Sequence, residues 1–174
     1  KSSVEAIVSA HGSPDFITFT NVFAHIENLH EVLNSLKQLM APHTVIIIEN
    51  HYLGAVLEGN QFDTFYHEHP RSYSYTSFTH IAQSLGAKLI DVEFSLRYGG
   101  NIRVFIGAAD SGNHKTVNTS NLSEKEARFL EGFDVLRKNV DNWYKRKKCF
   151  IDSQIQQYGK LRAKAFPGRA AILV

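Results

Sequence analysis

The 174 residues include one cysteine, one methionine, one tryptophan and four prolines. The lone Cys149 excludes an intrachain disulfide framework and any zinc cluster built on cysteine thiolates. No apolar run approaches the roughly 20 residues needed to cross a bilayer. The opening residues lack the charged-then-apolar layout of a secretory leader, so the expected location is cytoplasmic with no membrane partner. Charged residues make up 21% of the chain and aromatics 11%, and glycine numbers 11, which excludes disordered and collagen-like classes. The net charge is only +2. Its one basic run, Lys145-Arg146-Lys147-Lys148, reads as a solvated helix face rather than a nucleic-acid contact.

What is present falls into ordered apolar segments separated by polar clusters. The chain opens in an amphipathic stretch carrying Val4, Ile7 and Val8, without a cap before it, and closes on the apolar Ala170-Ala171-Ile172-Leu173-Val174. Both ends therefore read as interior to a longer fold. Phe16 to Thr20 follows the turn signal Gly12-Ser13-Pro14-Asp15 and reads as a strand. Leu29, Val32, Leu33, Leu36 and Met40 keep a helical period over about Asn28 to Met40, with Asn28 and Glu31 placed as a capping box. Val45-Ile46-Ile47-Ile48 is a continuous apolar run, the pattern of a strand covered on both faces. A long polar-aromatic connection from Asn50 to about Thr76 is expected next, and connections of that length inside a domain are usually functional. Phe78, Ile81, Ala82 and Leu85 then mark a short helix closed by Gly86. Lys88 to Phe94 and Ile102 to Ile106 read as an antiparallel pair joined through Arg97-Tyr98-Gly99-Gly100. Asp110 to Asn121 reads as a polar loop, and Ser123 with Glu126 as a second capping box. A stripe from Phe129 through Phe133, Leu136, Val140, Trp143, Ile151 and Ile155 to Tyr158 follows at near-heptad spacing, a core face or helix–helix seam. Phe166-Pro167-Gly168 ends it before a final strand.

This order of elements fits the C-terminal half of an α/β sheet whose last strands include an antiparallel member. In open α/β sheets ligands bind beyond the carboxyl ends of the strands. Asn21 and His25 follow the first strand, and Glu49, Asn50, His51 and Tyr52 follow the second. Tyr66-His67-Glu68-His69 lies in the connection beyond it. One pocket lined by all three clusters is the expectation. A histidine titrating near neutrality can remove a proton from carbon beside a ketone, provided a donor stabilises the enolate. His69 and His25 suit the base, Tyr66 suits the donor or an alternative base, and Glu68 suits the orientation of an imidazole. Blander roles stand beside these. His25 also suits a cap for the following helix, Tyr66 packing, His67 a surface position, and Gly99-Gly100 a tight turn rather than a substrate contact. His67 and His69 also suit metal ligation, although no third ligand is evident.

Several motifs together resemble the C-methyltransferases that act on nucleotide-linked 4-keto deoxysugars. Asn21-Val22-Phe23-Ala24-His25-Ile26 is similar to that family's N-V-L-x-H-I segment, and Glu49-Asn50-His51-Tyr52-Leu53-Gly54 to its E-x-P-Y-L-G turn. Phe62-Asp63-Thr64-Phe65-Tyr66-His67-Glu68-His69, followed by Tyr73-Ser74-Tyr75-Thr76-Ser77, is similar to its F-D-x-I-Y-D-E-H segment and the helix start beyond. Tyr98-Gly99-Gly100-Asn101-Ile102-Arg103 matches its G-G-x-x-R signature. The similarity runs over nearly the whole chain in consistent order.

The resemblance implies an α/β chain: residues 1–110 as the C-terminal half of a class I, Rossmann-like methyltransferase sheet, and 111–174 as long helices leading into a second, truncated Rossmann-like domain. It implies an enzyme using S-adenosyl-L-methionine (SAM) and a nucleotide-sugar substrate, with dTDP as the expected carrier. His69 would be the base, with Tyr66, Glu68 and His25 as companions. Asn21 would lie on the cofactor side, and Tyr52, Asn101 and Arg103 on the substrate side. The glycine-rich SAM loop, the ribose-gripping acid and the zinc cysteines of that family are not in these residues. His51 stands where proline is usual and His67 where aspartate is usual. The expectation is thus a fragment inactive alone, dimerising through the open edge of strand 16–20. Two other readings remain open: a non-catalytic interaction module that keeps the half-fold, and a metal-dependent hydrolase using His67 and His69.

Overall fold

Two apolar segments frame the sheet. Phe16–Thr20 (β1) and Val45–His51 (β2) run parallel, with Phe16 opposite Val45 and Thr20 opposite Glu49. The computed structural model describes residues 3–108 and 120–162. Lys88–Ser95 (β3) and Asn101–Gly107 (β4) form the expected antiparallel hairpin, and β4 inserts beside β2, giving the order β1-β2-β4-β3. Only β4 runs against the others. This is the mixed α/β sheet expected from the sequence, and β1 and β3 are its edge strands among the described residues.

Ser3–His11 (α1) buries no residue, and its Ile7 is half exposed. Leu29–Leu39 (α2) starts as the sequence suggested: the Asn28 side chain accepts from the Glu31 backbone N–H and donates to the Glu31 carboxylate. Tyr75–Ser84 (α4) opens on a complete capping box between Ser74 and Ser77 and ends at Gly86, whose φ of +71° suits glycine. The alternation and helical periods converge on one core. Phe23, Ile46, Ile48, Phe78, Ile102, Val104 and Ile106 are fully buried there, with Leu36 of α2 and Ala82 of α4 packed among them.

Three expectations change. The connection after β2 is not irregular throughout: Leu53–Glu58 (α3) and a 3-10 turn at Phe62–Thr64 occupy it. Their backbone groups would otherwise lie unpaired beside the core. Ser123 and Glu126 do not cap their own helix. Ser120–Ala127 (α5) begins earlier, so both lie inside it, and the Glu126 carboxylate accepts instead from the Tyr75 and Thr76 backbone N–H groups at the start of α4. A carboxylate is favoured there because the first N–H groups of a helix have no internal partners. The apolar stripe of Phe129–Tyr158 (α6) is only half a core face. Leu136 is buried, Phe133 packs on Phe65, and Trp143 packs on Phe62, whereas Ile151, Ile155 and Tyr158 are 44–67% exposed. The break at Phe166-Pro167-Gly168, the final strand and most of the 110–121 loop lie outside the described residues.

Candidate active site

The carboxyl ends of β1 and β2 carry the first two polar clusters, and a folded-back segment brings the third to them. After β1 the chain makes a 3-10 turn, Phe23–His25, anchored by the fully buried Phe23 ring, which leaves His25 at the surface. After α3 the segment 59–74 is tied at its far end by Arg71, whose guanidinium donates to the backbone oxygens of Ile26 and Glu27. The Leu53 N–H also donates to the Tyr73 carbonyl at 2.9 Å. Between these ties, a turn closed by His69 N–H to Tyr66 O at 2.9 Å presents the Tyr66 and His69 rings together.

The result is a cluster of rings. His69 lies 4.6 Å from His25 edge-to-face, 4.5 Å from Tyr66 and 5.8 Å from His51, centroid to centroid. His69 Nδ1 is 3.0 Å from the Thr64 carbonyl oxygen. A carbonyl can only accept, so the ring nitrogen facing it carries the proton and the basic lone pair of the neutral ring is on Nε2. Glu68 sits elsewhere: its carboxylate is 3.9 Å from His67, and both side chains are more than half exposed. A backbone carbonyl thus helps to orient His69, a partner that no residue type in the sequence could have signalled. Among the described residues no three His, Cys, Asp or Glu side chains come together to hold a metal.

Beneath the rings lies a network centred on Glu49, which is 3% exposed. Its carboxylate accepts from Asn101 Nδ2 at 2.9 Å and from Arg103 at 2.9 and 2.6 Å, with Arg97 at 3.7 Å. Burial pushes the Glu49 carboxyl upward, but hydrogen bonds from Asn101 and Arg103 and the charges of Arg103 and Arg97 outweigh it, holding it below the ordinary carboxylate range. The Glu49 bond raises the Arg103 guanidinium in turn. Asn101 also donates to Asn21 Oδ1 at 3.2 Å, and Arg103 to Glu93 at 2.9 Å. Asn21, Asn101 and Arg103, expected on the cofactor and substrate sides, are therefore joined to one another through Glu49, which the sequence marks only as a charge ending an apolar strand.

Tyr52 stands apart from the rings. It is buried against Phe94 and Phe129 and lines a cavity of about 510 Å³ with Leu122, Lys125 and the Gly99-Gly100 turn. That turn has the tight geometry expected: φ is +86° and +128° at its two glycines, and a Cβ on Gly100 would stand 2.4 Å from the Ala55 Cβ. The single pocket anticipated for all three clusters is thus a ring cluster and a neighbouring cavity, separated by the turn.

Of the groups the resemblance places beside SAM, the described residues supply only the carboxyl end of β1. Asn21 there already uses its side-chain oxygen on Asn101 and its backbone N–H on Glu49 O at 2.8 Å. These residues alone do not make a SAM cradle. No helix among the described residues is long and apolar enough to cross a membrane.

Comparison with known proteins bears on the family. A family model described as a methyltransferase domain matches residues 2–92, just over half the chain. The chain is also similar to the C-methyltransferase NovU of Streptomyces niveus, with 38% identity over 105 residues. That stretch covers 60% of this chain and 25% of NovU, so the chain spans about a quarter of the relative it matches.

Proposed function

Because the chain belongs to the methyltransferase domain family, we propose that it forms the acceptor side of a SAM-dependent C-methyltransferase acting on a nucleotide-linked 4-keto deoxysugar. The observation that carries the reading is the His69 ring, oriented by the Thr64 carbonyl and packed between Tyr66 and His25. Carbon is a poor nucleophile until a proton beside the ketone is removed. Nε2 of His69 takes that proton, the C–H electron pair moves into the adjoining C–C bond, and the carbonyl oxygen becomes an enolate oxygen. The Tyr66 hydroxyl donates to that oxygen, and the resulting carbon nucleophile is the methyl acceptor. SAM, when bound, supplies the electrophilic methyl group. The likeness to a C-methyltransferase favours carbon over oxygen or nitrogen as the acceptor.

Proton removal can be tested without SAM. The chain, incubated with a dTDP-4-keto-6-deoxy sugar in heavy water, should exchange the hydrogen beside the ketone. His69→Asn should slow the exchange about 100-fold or more, the usual scale of a general base. Equal exchange by the variant would overturn the assignment of the base.

A further inference from the structure

We propose that His51 is a positioning residue for proton removal, setting the proton affinity of His69 across their ring contact. This rests on the reading of His69 as the base. His51 is the last residue of β2, opposite Asn101 in the ladder. Its half-buried ring stands 5.8 Å from that of His69 and 6.1 Å from that of Tyr98. Tyr98 holds φ at +53°, a backbone conformation rare for a bulky side chain. The space bounded by Asn50, His51, Thr64, His69 and Tyr73 is only about 10 Å³, room for one water at most. Both rings are half-buried, so solvent screens the pair only in part.

Two imidazoles this close cannot both take a proton without repulsion, so their titrations are linked. A proton on His51 keeps the Nε2 lone pair of His69 available at lower pH than an isolated imidazole would. The titratable and charged groups beside the pair are His25 after β1, Tyr66 and Arg71 on the folded-back segment and Tyr98 on the hairpin turn, with Glu49 two residues back on β2 and Arg97 held on it. These displace each midpoint, and the repulsion falls on the ring that titrates second, at the lower pH, which the proposal assigns to His69. Unit charges about 6 Å apart in this half-buried setting shift each other by about one pH unit.

The experiment is a histidine-resolved NMR titration of the full chain, with the pH profile of deuterium exchange beside it. His51→Gln should raise the His69 midpoint by about one unit and move the acid limb of exchange to higher pH by the same amount. His51→Lys should move both the other way, and loss of packing alone would not give opposite signs. Because His51 takes its proton while His69 is still neutral, His69→Gln should leave the His51 midpoint in place; a rise there would reverse the order of the two protonations. A His69 midpoint unmoved in both His51 variants overturns the proposal, whatever the exchange shows. Linked midpoints in a chain that exchanges no deuterium would instead overturn His69 as the base, leaving the coupling established.

Discussion

Glu49→Gln exchanges a buried carboxylate for an amide of the same shape and exposes how far the site depends on that one charge. In the native chain one carboxylate oxygen accepts from Asn101 and the other accepts twice from Arg103. The glutamine amide retains one acceptor, so either the Arg103 side or the Asn101 side must meet an NH₂ group. Charge-assisted hydrogen bonds contribute roughly 1.5–3 kcal/mol each, and breaking a fully buried ion pair costs roughly 3–5 kcal/mol. Arg103 is 35% exposed and keeps Glu93, so the lower end applies, about 3 kcal/mol. For a chain of this size that lowers Tm by roughly 6–12 °C. The pH dependence fixes the cause. Glu49 is held below its ordinary value when folded. Its contribution is therefore complete above the unfolded value, near 4.5, and is lost as pH falls through the folded value. Urea unfolding of both proteins should show the full gap at pH 7 and a gap that narrows progressively once pH falls below about 4.5. A gap under about 1 kcal/mol at pH 7, or one that does not narrow in acid, would refute the argument.

Two further substitutions separate the structure from simpler readings. Glu126→Gln should cost about 1 kcal/mol by weakening the cap on α4, whereas Ser123→Ala should stay within roughly 0.5 kcal/mol; equal losses in chemical denaturation would restore the capping box within α5. Gly100→Ala should destabilise by roughly 2–4 kcal/mol, since its φ of +128° is unfavourable for alanine and its Cβ would press on Ala55. An unchanged urea midpoint would show that the turn is free to move.

Much of this arrangement was readable from the chain alone. The strands read at Phe16–Thr20, Val45–Ile48, Lys88–Phe94 and Ile102–Ile106 and the helix capped by Asn28 follow from local period and turn chemistry, although β2 runs on to His51 and so takes Glu49, Asn50 and His51 into the strand rather than beyond its end. These signals act over a few residues, so sequence carries them directly. Tertiary structure decided what depends on partners far along the chain. Glu126 resembles a local cap in sequence, yet it caps a helix that begins some 50 residues earlier, because packing brings α5 against α4. Glu49 becomes the hub of the site only when β4 is inserted beside β2 and carries Asn101 and Arg103 to it. The orientation of His69 draws on the Thr64 carbonyl, a group every residue possesses. Residue types fixed which chemistry was available, and long-range packing fixed which groups meet, because hydrogen bonds and ring contacts depend on distances that sequence spacing does not encode.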